Sequence, residues 1–548
     1  MRIPTHKKKK IAGIFCVILI FIAVYTEKNK EQTIVFVHTN DTHGSVIAMD
    51  GWGGLAERAT LIDSIRRAAG GNILLLDAGD WNTGQAISNY FCARPDIEAY
   101  NYMGYDAVCL GNHEFDIPQD SLRMQMELMA FPVLTSNVFV ANGVRKGKAL
   151  GVLYSKKKIG NQIVGMFGIT TVSARVTGQY ADEMIFEDEA ETAELLVHSL
   201  RGAGVDVVVA LVHLGMNDEG DTYTTSMELA KRVRGIDLII DGHSHTFMKA
   251  PVVVNNTRIV SAYQNGHYIG VGKMVVKNKR LQEFDWELVP VHGVEPDYEL
   301  SRTLKRWTEY ARRDLNQVVG KMASCAPLFD GERNLARSGE SLLGNLVADA
   351  VVWKARDLGV VADFAVINGG SMREGLPEGW VTVADVIETV PFGNEMRVVE
   401  MYGSDLLETL CGLAQVMPGN GSFPQFSKEV GVVLDTLNRH LLKFTVRGQE
   451  VNLDKVYRIV TYDYITEGRG RFKIVKERKL FDSPAGFEVA EGVMDYIHDR
   501  EVVVPELDGR LRIGLQNATV DFEAKHLILQ NRKEYPGGLE VRRMLGEE

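Results

Sequence analysis

The chain has 548 residues, of which 61 are Lys or Arg and 72 are Asp or Glu, so its formal net charge is −11. An apolar fraction of 45% and a charged fraction of 24% are ordinary for a globular protein and exclude a largely disordered chain. The acidic balance argues against binding to a nucleic-acid polymer, because phosphate backbones attract clusters of Lys and Arg.

The cysteines are few and widely spaced. Cys16 lies in an N-terminal apolar run, and the others are Cys92, Cys109, Cys325 and Cys411. This spacing excludes a disulfide framework and a CxxC zinc site. We expect these four to be mostly buried small apolar residues. One disulfide remains open if the compartment is oxidising.

The N-terminal segment, residues 1–32, has the pattern of a targeting sequence. Four lysines, Lys7–Lys10, precede the uncharged run Ile11–Tyr25. Such a run fits the apolar region of a signal peptide and is short for a membrane-spanning helix. A cleaved signal and an uncleaved anchor both remain open. Either predicts an exported protein, periplasmic or outward-facing, whose only membrane contact is this segment.

An alternation of strands and helices follows. Short β-branched or Leu-rich runs that end in polar loops predict strands at Thr33–Thr39, Ile73–Leu76, Ala107–Leu110, Val205–Val212, Leu238–Ile240 and Arg258–Ala262. Helical segments lie between several of them, such as Gly54–Ala69 and Glu189–Ala203. This alternation predicts an α/β fold, in which ligand-binding residues follow the carboxyl ends of strands.

The rest of the chain predicts a second domain. Residues 296–317 are charged, with apolar residues at helical spacing, and are interpreted as a linker helix. It would separate an N-terminal domain over residues 33–295 from a second α/β or α+β domain over residues 318–513. The tail, residues 514–548, is mixed and polar, and no structure is predicted for it.

Polar residues next to glycine follow five predicted strands. The segments are Asn40-Asp41-Thr42-His43-Gly44, Asp77-Ala78-Gly79-Asp80, Gly111-Asn112-His113-Glu114-Phe115-Asp116, His213-Leu214-Gly215 and Asp241-Gly242-His243-Ser244-His245-Thr246. So many charged and imidazole groups at one sheet edge would be costly without partners. Two divalent metal ions are the natural partners, and zinc or manganese suits these ligands. His38 and Asp77, also near strand ends, are expected to be structural.

The order D-x-H, G-D, G-N-H-E, H and G-H-x-H resembles the calcineurin-like metallophosphoesterases. The forms "HTNDTHG", "GNHEFD" and "DGHSHT", with the later "NGGSMRE" and "PFGNE", resemble the 5′-nucleotidase branch of that superfamily. The resemblance covers about residues 33 to 480. It implies an N-terminal metallophosphoesterase α/β sandwich, a linker helix and a C-terminal 5′-nucleotidase substrate-binding domain.

The resemblance also implies the ligands of the two metal ions. One ion would be held by Asp41, His43, Asp80 and His245, and the other by Asp80, Asn112, His213 and His243. His245 stands where close relatives often have Gln. His113 and Asp116 resemble the catalytic pair of the family, in which Asp116 would orient His113 and His113 would stabilise the transferring phosphoryl oxygens or the leaving oxygen.

The second domain is expected to select the substrate, a small nucleotide. Asn368, Gly370 and Arg373 lie in a segment that resembles the family's nucleotide-binding loop, and the guanidinium of Arg373 suits phosphate oxygens. Phe392 and Tyr464 align with the two aromatic jaws that stack on a base.

Two positions depart from the family pattern. In "GRGRF", Gly470 replaces an acid that meets the ribose hydroxyls in relatives, with Arg469 and Arg471 beside it. Gly339 stands where an Arg is often found, and Arg337 is a possible substitute.

The sequence therefore predicts an exported dinuclear-metal phosphoesterase that hydrolyses nucleotides. The leading interpretation is a 5′-nucleotidase that releases phosphate from nucleoside 5′-monophosphates by in-line attack of a metal-bound hydroxide. The alternatives are a 2′,3′-cyclic nucleotide phosphodiesterase and a hydrolase of nucleotide sugars or pyrophosphates. A catalytically dead surface binding protein is disfavoured, because the ligand set has no gap. The oligomeric state stays open.

Overall fold

The computed structural model describes residues 31–514, except 72, 178–179, 217–223, 278–279, 332, 416–417 and 436. The expected export segment, apart from its last two residues, and the tail beyond residue 514 therefore lie outside the described residues. Within the described part, every helix is too short or too polar to cross a membrane.

The chain divides into two compact units. The first comprises Met1–Thr83 and Phe91–Arg306, and the second comprises Gly84–Tyr90 and Trp307–Glu548. The division falls inside the helix Tyr298–Leu315, in the region interpreted as a linker helix. The short segment Gly84–Tyr90 belongs to the second unit although its neighbours in sequence on both sides belong to the first.

The strands of the first unit are β1 (Gln32–Thr39), β2 (Ile73–Asp77), β3 (Ala107–Cys109), β4 (Val133–Leu134), β5 (Val138–Val140), β6 (Tyr154–Ile159), β7 (Gln162–Thr170), β8 (Met184–Phe186), β9 (Val207–His213), β10 (Leu238–Asp241), β11 (Val252–Val254), β12 (Thr257–Val260), β13 (Tyr268–Lys277) and β14 (Arg280–Pro290). The α-helices from Leu55 to Leu315 are α1 (Leu55–Ala68), α2 (Ala86–Tyr90), α3 (Arg94–Met103), α4 (Gln119–Leu128), α5 (Ala174–Thr177), α6 (Glu189–Gly202), α7 (Ser226–Arg232) and α8 (Tyr298–Leu315), of which α2 is part of the second unit. Short 3₁₀ helices span His113–Phe115, Gly143–Arg145 and Ala181–Glu183.

Two mixed sheets form the first unit. The first has the order β14-β13-β1-β2-β3-β4 and the second the order β11-β12-β10-β9-β7-β6, and β5 pairs with β8. Buried side chains from both sheets, such as Phe36 and Leu76 from the first and Phe167 and Leu211 from the second, share one apolar core. The strands that meet this core are rich in Val, Leu and Ile, as strands buried on both faces require.

The polar strand ends belong to both sheets. Strands β1, β2 and β3 run parallel in the first sheet, and β7, β9 and β10 run parallel in the second. The expectation that all five ends lie at one sheet edge is therefore wrong. Pattern analysis identified the strands, but it does not show that β9 and β10 pair with each other rather than with β3.

Side-chain caps explain the starts of two helices in this unit, α6 and α7. Asp188 accepts a hydrogen bond from the backbone N–H of Glu191 at 2.8 Å and so caps α6. Thr225 and Glu228 form a reciprocal capping box at the start of α7. These side chains satisfy N–H groups that have no partner inside the helix.

The strands of the second unit are β15 (Val318–Met322), β16 (Phe329–Asp330), β17 (Arg333–Asn334), β18 (Phe364–Asn368), β19 (Gly379–Thr382), β20 (Glu395–Tyr402), β21 (Pro424–Phe426), β22 (Val430–Asp435), β23 (His440–Val446), β24 (Gln449–Glu450), β25 (Val456–Tyr462), β26 (Phe481–Glu488), β27 (Val502–Val503) and β28 (Leu511–Ile513). Its further α-helices are α9 (Leu342–Asp357), α10 (Val383–Thr389), α11 (Gly403–Ala414), α12 (Asp463–Thr466), α13 (Lys473–Arg478) and α14 (Val489–Arg500), and a 3₁₀ turn spans Gly369–Ser371.

A five-stranded sheet of order β21-β18-β25-β20-β26 is the centre of the second unit, with a four-stranded sheet β24-β23-β22-β28 and a three-stranded sheet β19-β15-β27. Its core joins Phe364 and Val460 of the central sheet to Val351 of α9 and Val493 of α14. The second unit thus has an apolar core of its own. The predicted two-domain α/β architecture is confirmed.

The cysteines differ from expectation. Cys109 is buried, but Cys92 and Cys411 are half-buried and Cys325 is exposed. No disulfide joins these four residues of the described chain. The expectation of burial failed because it rested on residue type alone, and Cys325 lies in a loop after β15.

Candidate active site

The loops that follow β1 and β2 are joined through their backbones. The N–H of Asp41 donates to the carbonyl of Gly79, and the N–H of His43 donates to the carbonyl of Asp80, both at 2.9 Å. These contacts bring the predicted ligands of two neighbouring strand ends together. All these residues are buried.

Two groups of side chains in the first unit could each hold a metal ion. The first group is Asp41, His43 and His245, and the second is Asp41, Asp80 and His213. Within each group the ligand atoms all lie within 4.8 Å of one another. The common residue of these two groups is Asp41, whereas the sequence predicts that Asp80 binds both ions. The role of Asp80 as a shared ligand therefore stays a prediction.

Imidazole nitrogens face the carboxylates. His43 Nε2 lies 3.0 Å from His245 Nε2, and His245 Nε2 lies 3.6 Å from Asp41 Oδ1. His213 Nε2 lies 2.9 Å from Asp80 Oδ2 and 3.7 Å from Asp41 Oδ1. The remaining predicted ligands pair with each other, since His243 Nδ1 donates to Asn112 Oδ1 at 2.7 Å.

The orientation of two of these rings suits metal binding. His213 Nδ1 donates to the carbonyl of Ala78 at 2.7 Å, and His43 Nδ1 donates to the carbonyl of Asn82 at 3.2 Å. In the neutral form of each ring this bond places the proton on Nδ1 and leaves Nε2 as the nitrogen that can bind a metal ion. In His213 this Nε2 faces the carboxylates of Asp80 and Asp41, and in His43 it faces Nε2 of His245. A backbone carbonyl on the far nitrogen is the usual support of a metal-ligating histidine. The residues present therefore fit divalent metal ions.

The pKa values of the buried groups also favour bound cations. Burial opposes a charge on His213, but the carboxylates of Asp80 and Asp41 outweigh it and raise its pKa to about 10. Burial, assisted by the charge of Asp80, raises the pKa of Asp41. Burial alone would raise the pKa of Asp80, but the imidazoles of His213 and His113 hold that pKa well below its usual value. The buried carboxylates thus demand positive charge, which divalent cations would supply in place of protons.

The predicted catalytic pair is in contact. His113 Nδ1 and Asp116 Oδ2 are 2.5 Å apart, and Thr83 Oγ1 donates to the same carboxylate oxygen at 2.9 Å. The ring of His113 meets the ring of His43 edge-on with centroids 5.2 Å apart. His113 Nε2 lies 4.0 Å from Asp80 Oδ2, so this nitrogen faces the carboxylate cluster.

Five of the predicted ligands adopt backbone conformations that only glycine adopts freely. The φ angles are positive at Asp41 (49°), His43 (44°), Asp80 (60°), His243 (80°) and His245 (48°). Such residues are uncommon and concentrate where function requires them. At His43, Asp80 and His243 the sequence signal was an adjacent glycine, which shows that the chain turns sharply there but not which residue is strained. Asp41 and His245 have no adjacent glycine.

Several supporting residues were missed by sequence reasoning. Asn40 Nδ2 donates to Asp41 Oδ2 at 2.7 Å, and Asp241 Oδ1 accepts from the N–H groups of Leu214 and Gly215. Their signal in the sequence was position alone, since both are next to a strand end. Asp77, expected to be structural, accepts a bond from the N–H of Gly79 at 2.9 Å.

The predicted substrate residues lie in the second unit. Asn368 donates from Nδ2 to the carbonyl of Gly421 at 2.6 Å and accepts at Oδ1 from the hydroxyl of Tyr462. Asn368 thus holds its own loop together. The N–H of Gly370 donates to the same carbonyl of Gly421 at 2.8 Å.

Two predicted contacts with a nucleotide lie side by side. The guanidinium of Arg373 lies over the ring of Phe392, 5.1 Å from its centroid. A cationic group and an aromatic ring are thus presented together, as a phosphate and a base would require. The backbone carbonyl of Arg337 accepts a hydrogen bond from the N–H of Gly419 at 2.7 Å.

The structure gives a physical reason for the departure at Gly470. Its φ is +57°, and a Cβ there would lie 2.6 Å from Ser422 Oγ and 2.8 Å from the hydroxyl of Tyr464. An acid cannot occupy this backbone without displacing both hydroxyls. At the other departure, Gly339, a Cβ would meet only Ile513, at 3.7 Å.

Comparison with known proteins identifies the family of the chain. Residues 34–247 match the family model "Calcineurin-like phosphoesterase", and residues 318–477 match "5′-nucleotidase, C-terminal domain". A 5′-nucleotidase of Vibrio vulnificus is 30% identical over 480 residues, which cover 79% of this chain and 85% of that protein. The chain belongs to the 5′-nucleotidase family of calcineurin-like phosphoesterases.

Further relatives extend the likeness over both units. Protein UshA of Yersinia enterocolitica is 29% identical over 520 residues, covering 87% of this chain and 92% of that protein. The crystal structure of a 5′-nucleotidase precursor from Thermus thermophilus has a TM-score of 0.78 at 29% identity and covers 88% of this chain and 99% of that one. The protein is accordingly a phosphoric ester hydrolase of a family that uses divalent metals.

Proposed function

We propose that the protein is a dinuclear-metal 5′-nucleotidase that releases phosphate from nucleoside 5′-monophosphates. The observation that carries the proposal is the pair of carboxylate–imidazole groups beside the His113–Asp116 pair. The metal ligands would be Asp41, His43, Asp80, Asn112, His213, His243 and His245, with zinc or manganese as the suitable ions.

Bound metal ions would lower the pKa of a water molecule and neutralise charge on the phosphate oxygens. The chain's own residues orient a proton donor toward the phosphate. Asp116 holds the Nδ1 side of the His113 ring, so that Nε2 faces the cluster. In that place Nε2–H can donate to an oxygen of the transferring phosphoryl group, where charge develops in the transition state.

Substrate selection would belong to the second unit. Arg373 would donate two hydrogen bonds to phosphate oxygens, and the rings of Phe392 and Tyr464 would stack on the base. Asn368 and Gly370 would form the nucleotide-binding loop, and Arg337 would be a further substrate-binding residue. Support for nucleotides comes from the match of this unit to the 5′-nucleotidase C-terminal domain. The basic and then uncharged N-terminal segment supports export, since Lys7–Lys10 precede Ile11–Tyr25.

The test is phosphate release by the purified full-length protein with added Zn²⁺ or Mn²⁺. The panel holds 5′-AMP, 3′-AMP, 2′,3′-cyclic AMP with a coupling phosphatase, a nucleotide sugar, and a sugar phosphate without a base. We expect a strong preference for 5′-AMP and a rise of KM for 5′-AMP in Phe392→Ala. Equal or faster turnover of the base-free or diester substrates would refute the nucleotidase proposal while leaving the metal centre in place.

A further inference from the structure

We propose that Glu114 is a positioning residue that holds the loops after β2 and β3 in the geometry that binds metal. The proposal rests on the metal-binding part of the proposed function, and it concerns a side chain outside the predicted ligands. Glu114 is fully buried, lies in the 3₁₀ turn His113–Phe115, and is next in sequence to His113.

The carboxylate of Glu114 accepts hydrogen bonds from both loops. Its Oε2 accepts from the N–H of Asp80 at 2.9 Å and from the N–H of Gly111 at 2.6 Å. Its Oε1 accepts from the N–H of Trp81 at 3.0 Å and from the N–H of Asn82 at 3.2 Å. One side chain therefore satisfies three consecutive N–H groups of the loop after β2 and the N–H of Gly111 in the loop after β3.

The contacts of Glu114 also reach a second predicted ligand, His43. The side chain of Asn82 also donates to Glu114 Oε1, at 3.3 Å, while the carbonyl of Asn82 accepts from His43 Nδ1. Placing Asn82 thus sets the direction of the His43 ring. Glu114 therefore acts on Asp80 directly and on His43 through Asn82, and it lies two residues after Asn112.

Only a carboxylate can make this set of contacts. All five neighbouring groups are N–H donors, and an ionised carboxylate has acceptor sites on both oxygens and no donor. In Glu114→Gln the amide nitrogen must replace one oxygen. It would face the N–H groups of Asp80 and Gly111 in one orientation, or those of Trp81 and Asn82 in the other, and unpaired buried donors are costly.

The experiment is a titration of Zn²⁺ into chelator-treated full-length protein, in which isothermal titration calorimetry measures the zinc affinity of the wild type and of Glu114→Gln. We expect the variant to bind zinc 10- to 100-fold more weakly, the usual effect of losing a group that supports metal ligands. Turnover should recover when the zinc concentration is raised by the same factor. Equal zinc affinity in variant and wild type would overturn the proposal. A wild-type protein that binds no zinc or manganese would overturn the proposed function as well.

Asp237→Asn is the matched control. Asp237 is also a largely buried carboxylate that accepts from a backbone N–H, that of Val208 at 2.8 Å, but it precedes β10, at the end opposite to Asp241. This variant should lose stability and keep its zinc affinity. Weaker zinc binding of the same size in Asp237→Asn would show that loss of stability alone explains the effect, which would also overturn the proposal.

A second measurement does not depend on the folding of the variant. If Glu114 forms the loops before metal arrives, the amides of Asp80, Trp81, Asn82 and Gly111 exchange slowly with deuterium in the metal-free wild type. Rapid exchange at these amides that becomes slow only on addition of Zn²⁺ would overturn the proposal.

Discussion

The backbone at the candidate ligands is held in conformations that cost energy. Each non-glycine residue in the left-handed region costs on the order of 1 kcal/mol, and Asp41, His43, Asp80, His243 and His245 are all there. The hydrogen bonds between the loops hold these residues in place. These conformations lower the stability of the first unit and direct the five side chains toward a common point.

Replacing His113 with Ala should slow turnover of 5′-AMP by about 10²–10⁴-fold, because the variant lacks the donor that faces the phosphoryl oxygens. Metal content, measured by plasma mass spectrometry, should stay at about two ions per chain. Loss of one ion in the variant would mean that His113 is a ligand and that the assigned role is wrong.

His38 predicts a pH dependence of stability. It is fully buried against Trp286, with ring centroids 5.1 Å apart, and this burial lowers its pKa to about 3. The unfolded chain, with a pKa near 6.5, binds the proton more readily, so stability falls as the pH drops from about 6.5 toward about 3. The loss between pH 7 and pH 4 should be on the order of 3 kcal/mol.

Urea unfolding at several pH values checks this prediction. Other carboxylates also titrate in this range, so the comparison is with His38→Leu, which should be less sensitive to pH by the stated amount. Identical pH profiles for both proteins would contradict a neutral, buried His38.

At the scale of the elements, the loops after β2 and β3 approach so closely that a side chain does not fit between them. Gly79 has a φ of +90°, and a Cβ there would lie 2.4 Å from the backbone nitrogen of Gly111. Gly79→Ala should therefore cost about 3 kcal/mol or more of unfolding free energy and reduce metal content.

Gly71→Ala is the control for that substitution. Gly71 has nearly the same φ, +86°, with nothing within 4 Å of the added Cβ, so only the backbone penalty of about 1–2 kcal/mol applies. Denaturant unfolding and metal analysis of both variants make the comparison. Equal losses would show that the close approach of the two loops is not what requires glycine.

The strands and their polar ends could be predicted, because each buried strand is a short apolar run and each ends in Asp, Asn or His beside glycine. The contacts among those ends could not. The placement of His213 opposite Asp80 depends on how two separate sheets pack, and no local pattern encodes that packing. Likewise, the bonds of Asn368 to Gly421 and Tyr462 join positions far apart in sequence.

At the scale of the whole molecule, each unit has its own apolar core, and both candidate metal groups lie in the first. Metal that binds only the folded state stabilises it by about 3–4 kcal/mol at 100 to 1,000 times its Kd. Removal of metal with a chelator should therefore lower the melting temperature of the first unit and leave that of the second unchanged.

Scanning calorimetry combined with hydrogen exchange can assign the transitions to the two units. Asp41→Asn is the control, since Asp41 belongs to both candidate metal groups, and this variant should not respond to the chelator. A shift of the second unit's transition as large as that of the first would contradict the prediction.

The second unit is not one continuous stretch of chain. Its helix α2 begins with the N–H of Ala86 donating to Glu388 at 3.0 Å, and the hydroxyl of Tyr90 donates to Asp314 at 2.7 Å. Hybrid enzymes made by exchanging C-terminal halves between relatives would separate Gly84–Tyr90 from Glu388 and Asp314, which it contacts. A productive exchange must therefore transplant two pieces of sequence, the short one included, so gene shuffling with a single crossover near residue 306 is expected to yield mismatched hybrids.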